Sequence, residues 1–158
     1  MFSIVQPGDC LAITPMPGTL RVVAHVVNDA GGWGRGFVLP LAQRWPHVEQ
    51  RYRQWAAGTL GPFVLGMVQP VTAEPGIVVL NLLAQHGYSK PGSPALQYDA
   101  LTSCLTKAQQ WADARSCPVE FHLPRLGCGL AGGHWPRVES MLRTFFFHYD
   151  VRVYVPAS

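Results

Sequence analysis

The chain has 158 residues, of which 48% are hydrophobic and 13% charged, and it carries a formal net charge of +3 at neutral pH. That length supports one domain with a buried core, and that composition excludes a disordered chain. Lys and Arg are scattered without a run, which argues against a surface built for a nucleic-acid backbone and suits a small anionic ligand.

In chain order, residues 2–5 form the first strand candidate and residues 21–27 the second. The segment Asn28-Asp29-Ala30-Gly31-Gly32-Trp33-Gly34-Arg35-Gly36 follows, then helix candidates at 38–44 and 48–57. Strands are expected at 64–69 and 77–83, with a loop over 87–94. The longest helix is predicted at 97–115, where Leu101, Cys104, Leu105, Ala108 and Trp111 recur on one face. A strand at 119–123 leads into a second glycine segment, Gly127-Cys128-Gly129-Leu130-Ala131-Gly132-Gly133. A helix at 135–147, with Val138, Met141, Leu142 and Phe145 on one face, and a strand at 151–155 complete the chain. Several strands are unbroken runs of Val, Ile and Leu, the pattern of strands covered on both faces. Strands alternating with helices imply an α/β layered domain.

Both glycine segments stand between a strand and a helix, at the strand ends where open α/β sheets bind ligands. Such loops gather backbone N–H groups and offer them to phosphate oxygens, and glycine lets the backbone come close. Two of them suggest a clamp on a diphosphate. No apolar run reaches the roughly 20 residues of a membrane span, and no signal-like segment opens the chain; a cytoplasmic protein without a membrane partner is expected. Cys10, Cys104, Cys117 and Cys128 show neither a CxxC pair nor zinc-like spacing, so they read as thiols and no metal or cofactor is expected. Cys128, inside the second loop, could be a nucleophile but lacks an evident base, and a small side chain tolerated beside a ligand is the favoured reading.

His25-Val26-Val27-Asn28 through Phe37, together with Leu123-Pro124-Arg125-Leu126-Gly127-Cys128-Gly129-Leu130 and Trp135, resembles the macrodomain family. The similarity runs nearly end to end and is greatest to the branch holding ADP-ribose glycohydrolases, ADP-ribose-1″-phosphate phosphatases and a chromatin-remodeller reader domain. It implies a three-layer α/β/α macrodomain with a mixed central sheet, one domain over residues 1–158. It also implies an ADP-ribose crevice lined by Asp9, Cys10, Asn28, Gly32, Trp33, Gly34, Arg35, Gly36, Phe37, Gly127, Cys128, Gly129 and Leu130. In that scheme Asp9 accepts from the adenine 6-amino group; the alternative is a turn Asp. Asn28 stands beside the distal ribose. Trp33 could pack on a sugar or anchor its loop, and Arg35 could pair with a phosphate.

The chain departs from the glycohydrolase branch where that branch has a catalytic lysine and a loop aspartate: here Gln85 and Ala131. Gln has no amine nucleophile, and Lys90 is out of register. Hydrolysis without that pair remains reasonable for ADP-ribose esterified to Glu or Asp. The leaving carboxylate has a pKa of about 4, and the bound diphosphate can orient the water. Asn28, Asp29, Gln85 and His86 are the polar groups expected to assist. His25 is read as a satisfied core histidine, and His134 as adjoining the last helix. The favoured function is an ADP-ribosyl hydrolase acting, as a monomer, on ADP-ribosylated proteins. A non-catalytic ADP-ribose reader and a phosphatase on ADP-ribose-1″-phosphate stay open, and nucleic acid enters only as an ADP-ribosylated substrate.

Overall fold

The computed structural model describes residues 1–88, 90, 94–129 and 131–157. In chain order the elements are β1 (Phe2–Val5), a short 3-10 turn (Cys10–Ala12), β2 (Leu20–Asn28), α1 (Val38–Arg44), α2 (Pro46–Ala56), β3 (Val68–Glu74), β4 (Ile77–Gln85), α3 (Tyr98–Asp113), β5 (Val119–Leu123), α4 (Trp135–Phe145) and β6 (Asp150–Tyr154). The six strands form one mixed sheet in the order β1-β6-β5-β2-β4-β3. All pairings are parallel except β3 with β4.

Side-chain alternation along β4 explains the layers. Val78, Leu80, Leu82 and Ala84 pack with Leu101, Cys104, Leu105 and Ala108 of α3 and Val138 and Leu142 of α4. Ile77, Val79 and Leu83 pack on the opposite face with Leu41 of α1 and Val48, Tyr52 and Trp55 of α2. A strand buried on both faces needs apolar residues at every position, hence the unbroken run from Ile77 to Leu80. The expected three-layer α/β/α architecture with a mixed sheet is therefore what the chain forms.

The strand expected at 64–69 is displaced. Residues 64–67 precede the strand, Val64 is exposed, and β3 runs from Val68 to Glu74. Pro70, which suggests a stop, lies inside β3 opposite Leu80. An edge strand tolerates it because its missing N–H can fall on the unpaired side. The predicted helices end slightly early, α3 at Asp113 and α4 at Phe145, with the end-residue variation usual for frayed helix termini.

Parallel pairing brings the carboxyl ends of β2, β4 and β5 to one edge of the sheet. The first glycine loop leaves from Asn28, Gln85 closes β4, and the second glycine loop begins beyond Leu123.

Candidate functional site

Asn28 builds the first loop. Its Oδ1 accepts from the N–H groups of Ala30 and Gly32, each at 3.0 Å, while its Nδ2 donates to the Gly32 carbonyl at 2.9 Å. The buried Tyr52 hydroxyl donates to the Asn28 carbonyl at 2.6 Å, tying the loop to α2. Trp33 is buried, donates through Nε1 to the Val38 carbonyl at 3.0 Å, and packs its ring against His25 and Tyr52. It is therefore an anchor for its loop. The amides of Gly34, Arg35 and Gly36 donate to no acceptor among the described residues. These are the groups the strand–loop–helix reasoning expects to find facing an anion. Gly36 takes φ +76°, a left-handed conformation suited to glycine.

The second loop is held by its own backbone. Gly133 N–H donates to the Gly127 carbonyl at 2.8 Å and Cys128 N–H to the Arg125 carbonyl at 3.1 Å. Gly127 has φ +71° and sits so close to Leu96 that a Cβ would lie 2.8 Å from its Cδ1. The Gly129 amide has no acceptor among the described residues, and the space around it is open. Leu130, expected beside the phosphates, lies outside the described residues. Burial pushes the Cys128 thiol up to about 11, with Arg125 opposing, so it is protonated at neutral pH and a poor nucleophile.

Two adjoining cavities open at this end of the sheet, one beside the first loop and one bordered by both loops. The larger, about 680 Å³, is lined by Asn28, Gly32, Trp33, Gly34, Arg35, Arg53, Gln85 and Tyr88, among others. The smaller, about 280 Å³, has walls from His25, Arg35, Gly36, Phe37, Gln85, Arg125, Gly127 and Gly129. Arg35 and Gln85 border both. The combined space matches small-molecule sites, typically about 300–1,000 Å³. Its charged lining is entirely guanidinium: Arg35, Arg53 and Arg125. Arg35 has no ion-pair partner among the described residues, whereas Arg53 pairs with Glu49 at 2.8 Å.

Asp29 and His86 are joined to each other and to the turn after β4. His86 Nδ1 is 2.7 Å from Asp29 Oδ2, Gly87 N–H donates to Asp29 Oδ1 at 2.8 Å, and Asp29 N–H donates to the Gln85 carbonyl at 2.9 Å. Burial favours the neutral Asp29 carboxyl, but hydrogen bonds from His86 and Gly87 outweigh it and hold the carboxyl below its usual range. Asp29 thus fastens the turn after β4 to the first loop. Neither Asp29 nor His86 lines either of these two cavities; Gln85 lines both, its Nε2 donating to the Gly87 carbonyl at 2.9 Å.

Asp9 and Cys10 also lie outside both linings. Asp9 Oδ1 caps the 3-10 turn by accepting from Leu11 N–H at 2.9 Å. Cys10 is buried, and desolvation followed by the neighbouring Asp9 charge pushes its thiol up. His134 stands at the start of α4 without a side-chain cap, its N–H donating to the Tyr98 hydroxyl. Tyr52, Arg53 and Tyr88 were not legible as site residues. The helical spacing of Glu49 and Arg53 signals only a surface pair, and nothing near Tyr88 marks it as facing Gly32. Among the described residues, no group of three or more His, Cys, Asp or Glu is placed to hold a metal.

No family model matches the chain. It is 38% identical to a macrodomain protein from Streptomyces coelicolor, covering 99% of this chain and 100% of that one with a TM-score of 0.83. An ADP-ribose 1″-phosphate phosphatase of Candida albicans is 20% identical over 92% of this chain and 96% of its own length. The fold also matches Thermosipho africanus DarTG, solved in complex with ADP-ribose, at 16% identity and a TM-score of 0.70, covering 87% of this chain and 38% of that one. With the α/β/α layers and the paired glycine loops, the Streptomyces likeness places this chain in the macrodomain family.

Proposed function

We propose that this macrodomain binds ADP-ribose across the two cavities and releases it from esterified Glu or Asp side chains with a positioned water. The observation that carries this reading is the pairing of two amide-bearing loops around one guanidinium-lined cleft, with Arg35 bordering both cavities. The free amides of Gly34, Arg35, Gly36 and Gly129 suit the diphosphate. The larger cavity, beside Asn28 and Gln85, suits the distal ribose and the attached side chain. Asp9 retains Oδ2 for the adenine 6-amino group while Oδ1 caps its turn.

In the reaction, water attacks C1″ of the ribose and the C1″–O bond to the ester breaks. Its electron pair leaves on the carboxylate, and the attacking water gives up one proton to solvent. The products are ADP-ribose with a C1″ hydroxyl, the free side-chain carboxylate and a proton. A leaving group with a pKa of about 4 needs little protonation, so positioning supplies most of the rate. Gln85 orients groups in the cleft and forms no covalent adduct, because an amide nitrogen is not an amine nucleophile.

A phosphatase reading has one specific support, the near full-length similarity to the Candida ADP-ribose 1″-phosphate phosphatase. One assay separates the two. The protein is incubated with a mono-ADP-ribosylated glutamate protein and, separately, with ADP-ribose-1″-phosphate, and released ADP-ribose and phosphate are measured. Release from the protein, without a borohydride-trappable adduct, is expected. Phosphate release alone would favour the phosphatase. Tight ADP-ribose binding with no turnover would make the domain a reader, and a trapped adduct at Lys90 would overturn the water mechanism.

A further inference from the structure

Gly32 stands in the first loop without the usual reasons for a glycine. Its φ is not positive, so the backbone conformation there suits any residue. Its N–H and its carbonyl are both taken by Asn28, so it has no backbone group left for an anion. What excludes a side chain is Tyr88. A Cβ at Gly32 would overlap the Tyr88 hydroxyl oxygen and lie 3.0 Å from Cζ and 3.1 Å from Cε1. A Cβ at Gly34, in the same loop, would meet nothing within 4 Å. The missing carbon at Gly32 is the seat of a phenol that arrives from the turn after β4.

That turn is fastened. Asp29 accepts from Gly87 N–H and is bonded to His86, and Gln85 donates to the Gly87 carbonyl. These bonds fix the backbone directly before Tyr88. The side chain they position is nevertheless 62% exposed, and its hydroxyl has no hydrogen-bond partner among the described residues. Burial therefore does not account for its placement. An aromatic seated on one loop, carried by a braced turn and left with a free hydroxyl, is preorganised for a ligand.

Its place in the cleft selects the contact. Gly36 and Gly129, whose amides are free for the diphosphate, border the smaller cavity, whereas Asn28, Arg53 and Tyr88 border only the larger. In the ADP-ribose reading above, on which this inference rests, the larger cavity takes the distal ribose and the esterified side chain. Tyr88 thus stands at the end where C1″ carries its substituent. An ester carbonyl oxygen accepts hydrogen bonds, and a phenol supplies one donor. Among the described residues lining the larger cavity there is no carboxylate to compete for that donor.

We infer that Tyr88 grips the acyl group of the substrate: its hydroxyl donates to the carbonyl oxygen of the Glu or Asp ester, and its ring, seated on Gly32, walls the side chain into the larger cavity. No proton is transferred. Cleavage of C1″–O leaves a charge shared by both carboxylate oxygens, so this hydrogen bond strengthens as the bond breaks. Free ADP-ribose has no acyl group and does not make the contact, so Tyr88 distinguishes the substrate from the ADP-ribose it releases.

The test combines steady-state hydrolysis of a mono-ADP-ribosylated glutamate protein with calorimetry of ADP-ribose. Tyr88→Phe keeps the ring and should lower kcat/KM about tenfold, the loss of one hydrogen bond, with ADP-ribose affinity within about twofold of wild type. Gly32→Ala takes away the seat and leaves the phenol. It should lower kcat/KM at least as far, yet add less than about twofold once Tyr88 is alanine, because the two residues act through one contact. Wild-type kcat/KM in Tyr88→Phe, an equal loss of ADP-ribose affinity in that variant, or the same loss from Gly32→Ala in both backgrounds overturns the inference and leaves the ADP-ribose reading standing. A wild-type protein that does not bind ADP-ribose, or does not hydrolyse the ester, overturns both.

Discussion

The two glycine loops reach the same cleft by different means. The first is organised by side chains: Asn28 bonds three of its backbone groups, Tyr52 ties it to α2, and Trp33 is driven into the core as its anchor. The second has no such organiser among the described residues. Its shape comes from backbone bonds between Gly133 and Gly127 and between Cys128 and Arg125, and from glycines pressed against Leu96, which precedes α3. A loop built by side chains can be damaged by removing one polar group. A loop built by close approach is damaged by adding one carbon. Within both, the positions proposed to face the ligand stand clear, since a Cβ at Gly34 or Gly129 would meet nothing within 4 Å.

The largest effect should come from adding the carbon. A Cβ at Gly133 would lie 2.5 Å from the Gly127 carbonyl oxygen and 2.5 Å from Leu96 Cδ2. Gly133→Ala should therefore cost about 2–3 kcal/mol in chemical denaturation, the range for overpacking against atoms that cannot move away. Gly34→Ala should leave stability unchanged. Equal stability of the two variants would break the contrast between structural and ligand-facing glycines.

Asn28→Leu tests the side-chain-built loop. The shape is nearly kept, but two amides and a carbonyl lose their partner, at a cost of about 1–3 kcal/mol. ADP-ribose affinity should fall at least tenfold with the Trp33 anchor still in place, which the assigned indole N–H resonance of Trp33 would report. Normal affinity would mean that the loop is shaped by Trp33 alone.

A smaller effect is expected at the tether between Asp29 and the turn after β4. The carboxyl is held below its usual range in the folded protein. Its stabilising contribution is thus fully present above the ordinary Asp range, about pH 4, and is lost as pH falls through the lower folded value. Asp29→Asn should flatten the fall of stability below about pH 4 and cost well under 1 kcal/mol at pH 7, as for other exposed pairs. An unchanged acid limb in melts between pH 2 and 5 would show that Asp29 does not hold the turn.

The layers of the fold were legible because burial on both faces leaves an unbroken apolar run, as in Ile77–Leu80, and burial on one face leaves helical spacing, as along α3. The edge strand was misplaced because exposure on one side lets polar residues and Pro70 interrupt the pattern. The loops announced themselves through glycine. Roles within them were harder to read: Asn28 and Asp29 look like free catalytic groups in a sequence, whereas most of their polar atoms are spent on the backbone nearby. His25, which reads as a satisfied core histidine, is satisfied only at Nε2, by Asn81, and its Nδ1 has no partner among the described residues. The seat of Tyr88 on Gly32 likewise joins residues far apart in the chain, adjacent only once β2 and β4 pair.

In the proposed complex both loops clasp one diphosphate, and a single titration series tests it. Calorimetry of the wild-type protein with ADP-ribose, AMP, ribose-5-phosphate and NAD should show a clear preference for ADP-ribose. Gly129→Val, which fills open space beside a free amide without touching the core, should keep the fold and lose that binding. Comparable or absent affinity for all four ligands, or ADP-ribose bound as tightly by a folded Gly129→Val protein, would contradict the account.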